Sequence, residues 1–154
     1  MPADAVVLDA NLLVLFVVGA ASRSYIAKHK RLRAYTEKDF TLLLDVLSAS
    51  PRIVVTPNTL TETSNLLRQI AEPARAHIYA VFQALLADTD EVYVESDRAA
   101  RHAAFPRLGL TDAALLTVVT AGHVLLTADL DLYLAADRQG QAVINFTHHI
   151  EANR

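Results

Sequence analysis

The sequence predicts an α/β domain with a mainly parallel sheet of five strands and helices on both of its faces. Three observations carry this. Five short apolar runs recur along the chain, helix-period patterns separate them, and most of the runs are continuously apolar, as in strands buried on both sides. The strand-like runs are AVVL (5–8), RIVVT (52–56), EVYVE (91–95), HVLLT (123–127) and AVINF (142–146). The helical patterns cover roughly 11–19, 37–49, 57–71, 73–88, 97–104, 112–121 and 129–138. In chain order, Thr56 followed by Pro57 offers an N-cap and a proline at the first helical position. EVYVE alternates and is flanked by acids, which places it at a sheet edge. Thr111 is expected to cap a helix that opens with Asp112, and Gly122 and Gly140 fall where helices should stop.

With 154 residues, 53% of them apolar and 20% charged, the chain suits one globular domain spanning 1–154. It has no cysteine, which excludes disulfides, thiolate metal sites and cysteine nucleophiles and fits a reducing cytoplasm. Asp4, and no Lys or Arg, precedes the first apolar run, unlike a secretory signal. The stretch Leu12–Ala21 is far shorter than the ~20 residues of a membrane span. The expectation is a cytoplasmic protein with no membrane contact. Net charge is −3, unevenly spread. RSYIAKHKRLR (23–33) holds five cations and no acid, leaving −8 on the rest. A basic segment on an acidic body suits a polyanionic partner, with Lys28, Lys30, Arg31 and Arg33 as candidate contacts to its phosphates. The plainer reading is a solvated surface.

The first strand runs straight into acid, in VVLDAN. A buried, unpaired carboxylate costs several kcal/mol, roughly, unless it is neutralised, hydrogen-bonded or bound to metal, so Asp9 needs partners. In open α/β sheets ligands bind outside the carboxyl ends of the strands. Asp9 ends the first strand and Asp129 follows HVLLT closely. Glu62 shares a helical face with Leu66 and Ile70, and Asp112 with Leu115, Leu116 and Val119, so both are expected to point inward. Each has a plain structural reading too. Asp112 could complement a helix dipole, Glu62 could close a capping box with Thr59, Asp129 could cap a helix and Asp9 could make a turn. Together, four convergent carboxylates repel, and a divalent cation removes the conflict. An all-oxygen acidic site suits Mg²⁺ or Mn²⁺, and such sites serve phosphodiester hydrolysis.

VVLDANLLV, VVTPNTLTE, GLTDAAL and HVLLTADLDLYLAADRQGQAVINF resemble, in order and spacing, the motifs of the PIN-domain ribonucleases, over nearly the whole chain. The resemblance implies a three-layer α/β/α fold and Mg²⁺- or Mn²⁺-dependent cleavage of RNA. It carries the family's acidic residues onto Asp9, Glu62, Asp112 and Asp129, as catalytic groups and metal ligands. It also makes Thr127 an orienting hydroxyl behind the last aspartate. Asn11 is a candidate hydrogen-bonding neighbour of the site. Asp131 is a candidate extra ligand or only a helix-start acid. Many small members are VapC-type toxins of bacterial toxin–antitoxin pairs, dimeric and silenced by an antitoxin, and one bare domain suits that role. The stretch 20–36 is longer than the family pattern needs.

Other chemistries are poorly served. His77, His102 and His123 lie on different elements without ligand spacing, and His148 and His149 stand in a polar tail. Ser22, Ser24 and Ser64 have no evident base, and no phosphate-cradling glycine motif occurs. A receiver-like signalling domain would need a lysine ending a late strand, and none is present. A DNA nuclease could use the same acidic site. The competing class is a catalytically idle PIN-like module that binds RNA or a protein.

Overall fold

The computed structural model describes residues 3–154. Its centre is a five-stranded, all-parallel sheet in the order β3-β2-β1-β4-β5. The strands are β1 (Ala5–Leu8), β2 (Arg52–Val55), β3 (Asp90–Glu91), β4 (His123–Thr127) and β5 (Val143–Asn145). Every residue of β1 is buried, as expected for the middle strand of a sheet covered on both faces.

Alternation along β1 divides the core. Val6 and Leu8 face α1 (Ala10–Ala21), α2 (Glu37–Ser48), α3 (Pro57–Leu67) and α4 (Ala74–Leu86). Ala5 and Val7 face α7 (Leu110–Val118) and α8 (Leu130–Arg138). Two short helices, α5 (Ser96–Ala100) and α6 (Phe105–Leu108), lead into α7, and α9 (Phe146–Ala152) closes the chain. α1 is apolar on nearly every side because it is enclosed; α2, α3, α4 and the 3₁₀ turns Arg23–Lys28 and Lys30–Leu32 all pack around it.

The strands leave β1 in both directions, to β2 on one side and to β4 on the other. That reversal makes a crevice outside the carboxyl ends of β1 and β4. The register sets Leu8 beside Leu126, and the Asp9 N–H continues the ladder onto the Leu126 carbonyl at 3.2 Å. Asp9 and the residues after Thr127 are thereby fixed at one place.

Several expected boundaries move, each for a local reason. EVYVE contributes only Glu91 to the sheet, paired beside Asp90; its neighbour β2 ends at Val55, so residues beyond Val92 have no strand to pair with, and Tyr93 is 76% exposed. The expected helix 97–104 stops at Ala100, where the His102 Nδ1 accepts the Ala104 N–H at 3.0 Å and competes with the helical pattern. Thr111 is not a cap: Gly109, at φ 87°, turns the chain and α7 starts at Leu110. Phe146 leaves the last strand, because the Asn145 side chain accepts the His148 N–H and opens α9 instead. The segment 20–36 is ordered as two 3₁₀ turns, anchored by buried Ile26 and Leu32 and by His29, which sits against the Leu67 carbonyl at 3.3 Å.

One packing contact gives a direct test of this arrangement. A Cβ on Gly19 would lie 2.3–2.7 Å from the Phe40 ring, and that ring is buried and covered by the Arg23 guanidinium at 4.8 Å. The ring has nowhere to retreat. Gly19→Ala should therefore destabilise the domain by about 1–3 kcal/mol in urea unfolding, despite alanine's better helix propensity.

Candidate functional site

The crevice opens as a cleft of about 740 Å³ lined by Asp9, Glu62, Asp112 and Asp129, with Asn11, Asn58, Thr61, Asn65 and Thr111 among its other polar residues. Four separate elements deliver the acids: Asp9 stands between β1 and α1, Glu62 on α3, Asp112 in the first turn of α7, and Asp129 just after β4. The sequence-predicted quartet therefore shares one cavity.

Two of the four are held by helix capping. Asp9 is the N-cap of α1, and its Oδ1 accepts the Ala10 N–H at 2.7 Å. Asp129 is the N-cap of α8, its Oδ1 accepting the Leu132 N–H at 3.1 Å. The plain reading of Asp129 as a helix cap is correct, whereas Asp9, expected on that reading to make a turn, caps a helix instead; neither cap competes with a role in the site. A cap occupies one oxygen and fixes the direction of the other. Thr127 joins the pair: its hydroxyl donates to Asp9 Oδ2 at 2.7 Å and accepts the Asp129 N–H at 3.0 Å.

Glu62 behaves differently from the expectation. It is exposed at the cleft wall, and the buried face of α3 belongs to Thr59, Thr63 and Leu67. The helix ends at Leu67, so the stripe through Ile70 does not exist. Nor does Glu62 close a capping box; Thr56 caps α3 by accepting the Thr59 N–H at 3.1 Å. Asp112 is half-buried, and Asn11 lines the cleft. Asp131 is exposed in the first turn of α8 and is not part of the cleft lining, which suits a helix-start acid. Lys28, Lys30, Arg31 and Arg33 lie along the 3₁₀ segment, and none of them lines the cleft.

The histidines are structural or peripheral. His148 packs edge-on against Tyr133, and His149 lies against Phe146. Sequence reasoning missed Asn58, Thr61, Asn65 and Thr111 as cleft residues. A signal existed: positions 58, 61, 62 and 65 lie on one helical face, so whatever face shows Glu62 also shows them.

Electrostatically the site is unsettled by itself. Burial raises the Asp9 pKa, with Asp129 and Glu62 adding to the rise, against hydrogen bonds from Thr127 and Ala10 that lower it. Burial, then the charges of Asp9, Asp129 and Glu62, push Asp112 up to about 7. Tyr35 is also raised, first by burial and then by Asp9 and Asp39, so its phenol stays protonated. Repelling carboxylates at a partly buried site favour either a proton or a cation.

Among the described residues, no group of three or more acidic or histidine side chains is arranged to hold a metal ion on its own. The quartet is therefore not a ready-made cage of four direct ligands. Its donor set still fits a hydrated Mg²⁺ or Mn²⁺: Mg²⁺ takes one or two carboxylates, keeps several waters and leaves places for phosphate oxygens. Asp9 and Asp129, fixed by caps and bonded to the same Thr127 hydroxyl, would hold such an ion, with Glu62 and Asp112 adding negative charge to the same cleft. No protein-family model matches the chain, and no curated protein matches it.

The raised Asp112 carboxyl has a definite consequence for stability. Between its unfolded value near 3.8 and its folded value of about 7, the folded state binds more protons than the unfolded one, so stability falls as pH rises. Asp112→Asn removes that penalty. Without divalent metal, urea unfolding at pH 7.5 should show the variant more stable by roughly 1–3 kcal/mol, after allowance for solvent screening of the ~1.4 kcal/mol per pKa unit. The advantage should shrink steadily as pH is lowered from 7 to 4.

Proposed function

We propose that this protein is a Mg²⁺- or Mn²⁺-dependent endoribonuclease of the PIN type, acting as the toxin of a toxin–antitoxin pair. One observation carries the nuclease reading: four carboxylates from four elements share one cleft at the crevice between β1 and β4, with burial first and the neighbouring acids second raising the pKa of Asp9 and of Asp112. The toxin role, a homodimeric state and control by an antitoxin rest on the sequence resemblance. Among the described residues no helix is long and apolar enough to cross a membrane, which is compatible with a partner in solution.

In this reading the protein's own groups act as follows. Asp9 and Asp129 present oxygens whose directions are set by the α1 and α8 caps and by the Thr127 hydroxyl. Asp112, whose carboxyl burial and the other three acids push up to about 7, holds a proton readily near neutral pH and would release it to positive charge. Glu62, exposed on α3, supplies negative charge from the cleft wall. A bound divalent cation supplies the charge that lets a phosphodiester approach these acids, and it lowers the pKa of the attacking water. Water adds to phosphorus in line, the bond to the 3′ oxygen breaks, and the products carry a 5′-phosphate and a 3′-hydroxyl.

The test is the double variant Asp9→Asn/Asp112→Asn, which keeps side-chain shape and removes ligand charge. Cleavage of single-stranded RNA with Mg²⁺ or Mn²⁺ should fall by orders of magnitude while the circular dichroism spectrum is retained. Cleavage at the wild-type rate would refute the assignment.

A second reading, an idle module that binds RNA or protein, draws on the basic segment lying outside the cleft. Replacing Lys28, Lys30, Arg31 and Arg33 with alanine separates the possibilities. If the segment grips phosphate, affinity for all RNAs should drop alike, and the salt slope should flatten by about 0.7 for each phosphate that the variant no longer neutralises. Unchanged affinity and slope would leave the segment as solvated surface or a protein-docking face.

A further inference from the structure

The cleft is larger than the acidic quartet needs, and the rest of its lining has a consistent chemistry. Along α3 the cleft side carries Asn58, Thr61 and Asn65 beside Glu62, with Asn58 one turn before the glutamate and Asn65 about one turn after. On the buried side of the same helix the hydroxyls are spent inside the protein: Thr56 bonds Thr59 at 3.0 Å, and Thr63 donates to the Thr59 carbonyl at 2.8 Å. The cleft-facing amides and the Thr61 hydroxyl have no such partner among the described residues. Leu108 and Leu110, from the turn into α7, supply an apolar part of the lining. Among the described residues, no lysine, arginine, histidine or aromatic side chain lines the cleft.

That composition defines what can be recognised there. Without cations the wall does not hold phosphate, and without aromatic rings or guanidinium groups it offers no stacking platform. Neutral amides together with an apolar surface suit a flat, uncharged group with donors and acceptors on its edge. An unpaired nucleobase has that form, a flat apolar face with donors and acceptors along its edge. A side-chain amide places a donor next to an acceptor, the pattern that pairs bidentately with a base edge. Bases in a duplex are turned inward and would not reach it.

We infer that Asn58, Thr61 and Asn65 select the base beside the scissile phosphate of a single-stranded RNA. The inference rests on the nuclease reading for the identity of the reacting strand, and its test has one arm that does not. In the first arm, a random-sequence single-stranded RNA pool is cleaved with Mn²⁺ by wild type, Asn58→Ala and Asn65→Ala, and cut sites are sequenced. Wild type should favour particular bases at one position flanking the cut. Each alanine variant should lose about 10–100-fold of that preference, the ~1–3 kcal/mol of a good bidentate contact. In the second arm, Asp112→Asn protein is titrated with a short single-stranded RNA and with an abasic strand of equal length. The base-bearing strand should bind more tightly, and adding Asn58→Ala/Asn65→Ala should erase the difference. If the wild type cuts nothing but the second arm behaves as stated, the nuclease reading fails while recognition of an unpaired base by Asn58 and Asn65 stands. Equal weakening for both strands, or an unchanged base preference in the variants, overturns the inference.

Discussion

The Thr127 hydroxyl ties the site together. It is buried, it donates to Asp9 at 2.7 Å, and it accepts the Asp129 backbone N–H at 3.0 Å. One oxygen atom thus links the end of β1 to the end of β4 at the place where the strand order reverses. Hydrogen bonding of this kind lowers the cost of an ionised, buried carboxylate, but only in part; desolvation of Asp9 remains the larger effect. What survives is a site held open in the face of its own repulsion. The helix caps at Asp9 and Asp129 oppose the obvious relief, which would be for the carboxylates to rotate away. The fold therefore keeps an electrostatic demand that a cation can meet.

The same logic explains why helix starts and candidate functional groups coincide. α1 and α8 both leave the carboxyl end of a strand, and both need an acceptor for their first N–H groups. Aspartate meets that need and still has lone pairs to spare. α3 makes the opposite choice, capping with Thr56 and reserving its acid for the cleft wall. α7 follows Gly109, which provides no side-chain cap, so Asp112 is positioned by burial and packing, and its carboxyl feels all three of the other acids.

Much of this was legible in the amino-acid order. The continuous apolar runs of β1, β2 and β4 identify central strands, and Thr56-Pro57 marks the start of α3. The acids at 9 and 129 can be placed because strand ends have known positions in an α/β sheet. What could not be read depends on neighbours distant in sequence. Val92–Glu95 alternates like a strand, yet β2 has ended before it. Glu62 shares its periodicity with Leu66 and looks core-facing until packing shows that Thr63 and Leu67 occupy the interior. Small polar residues on a buried face defeat a reading based on hydrophobicity. The cleft wall of asparagines was hidden for the same reason, since amides carry no apolar pattern to detect.

Whether these four carboxylates answer to one divalent cation can be settled by calorimetric titration of Mn²⁺ into the protein near pH 7, in buffers of different ionisation enthalpy. Such a series counts the protons released on binding. A single site is expected, whose occupation expels a fraction of a proton at pH 7, more at pH 6.5 and almost none at pH 8.5, with binding abolished in Asp9→Asn. Saturable binding that releases no proton at pH 6.5 to 7, or that survives Asp9→Asn unchanged, would contradict a shared cation site.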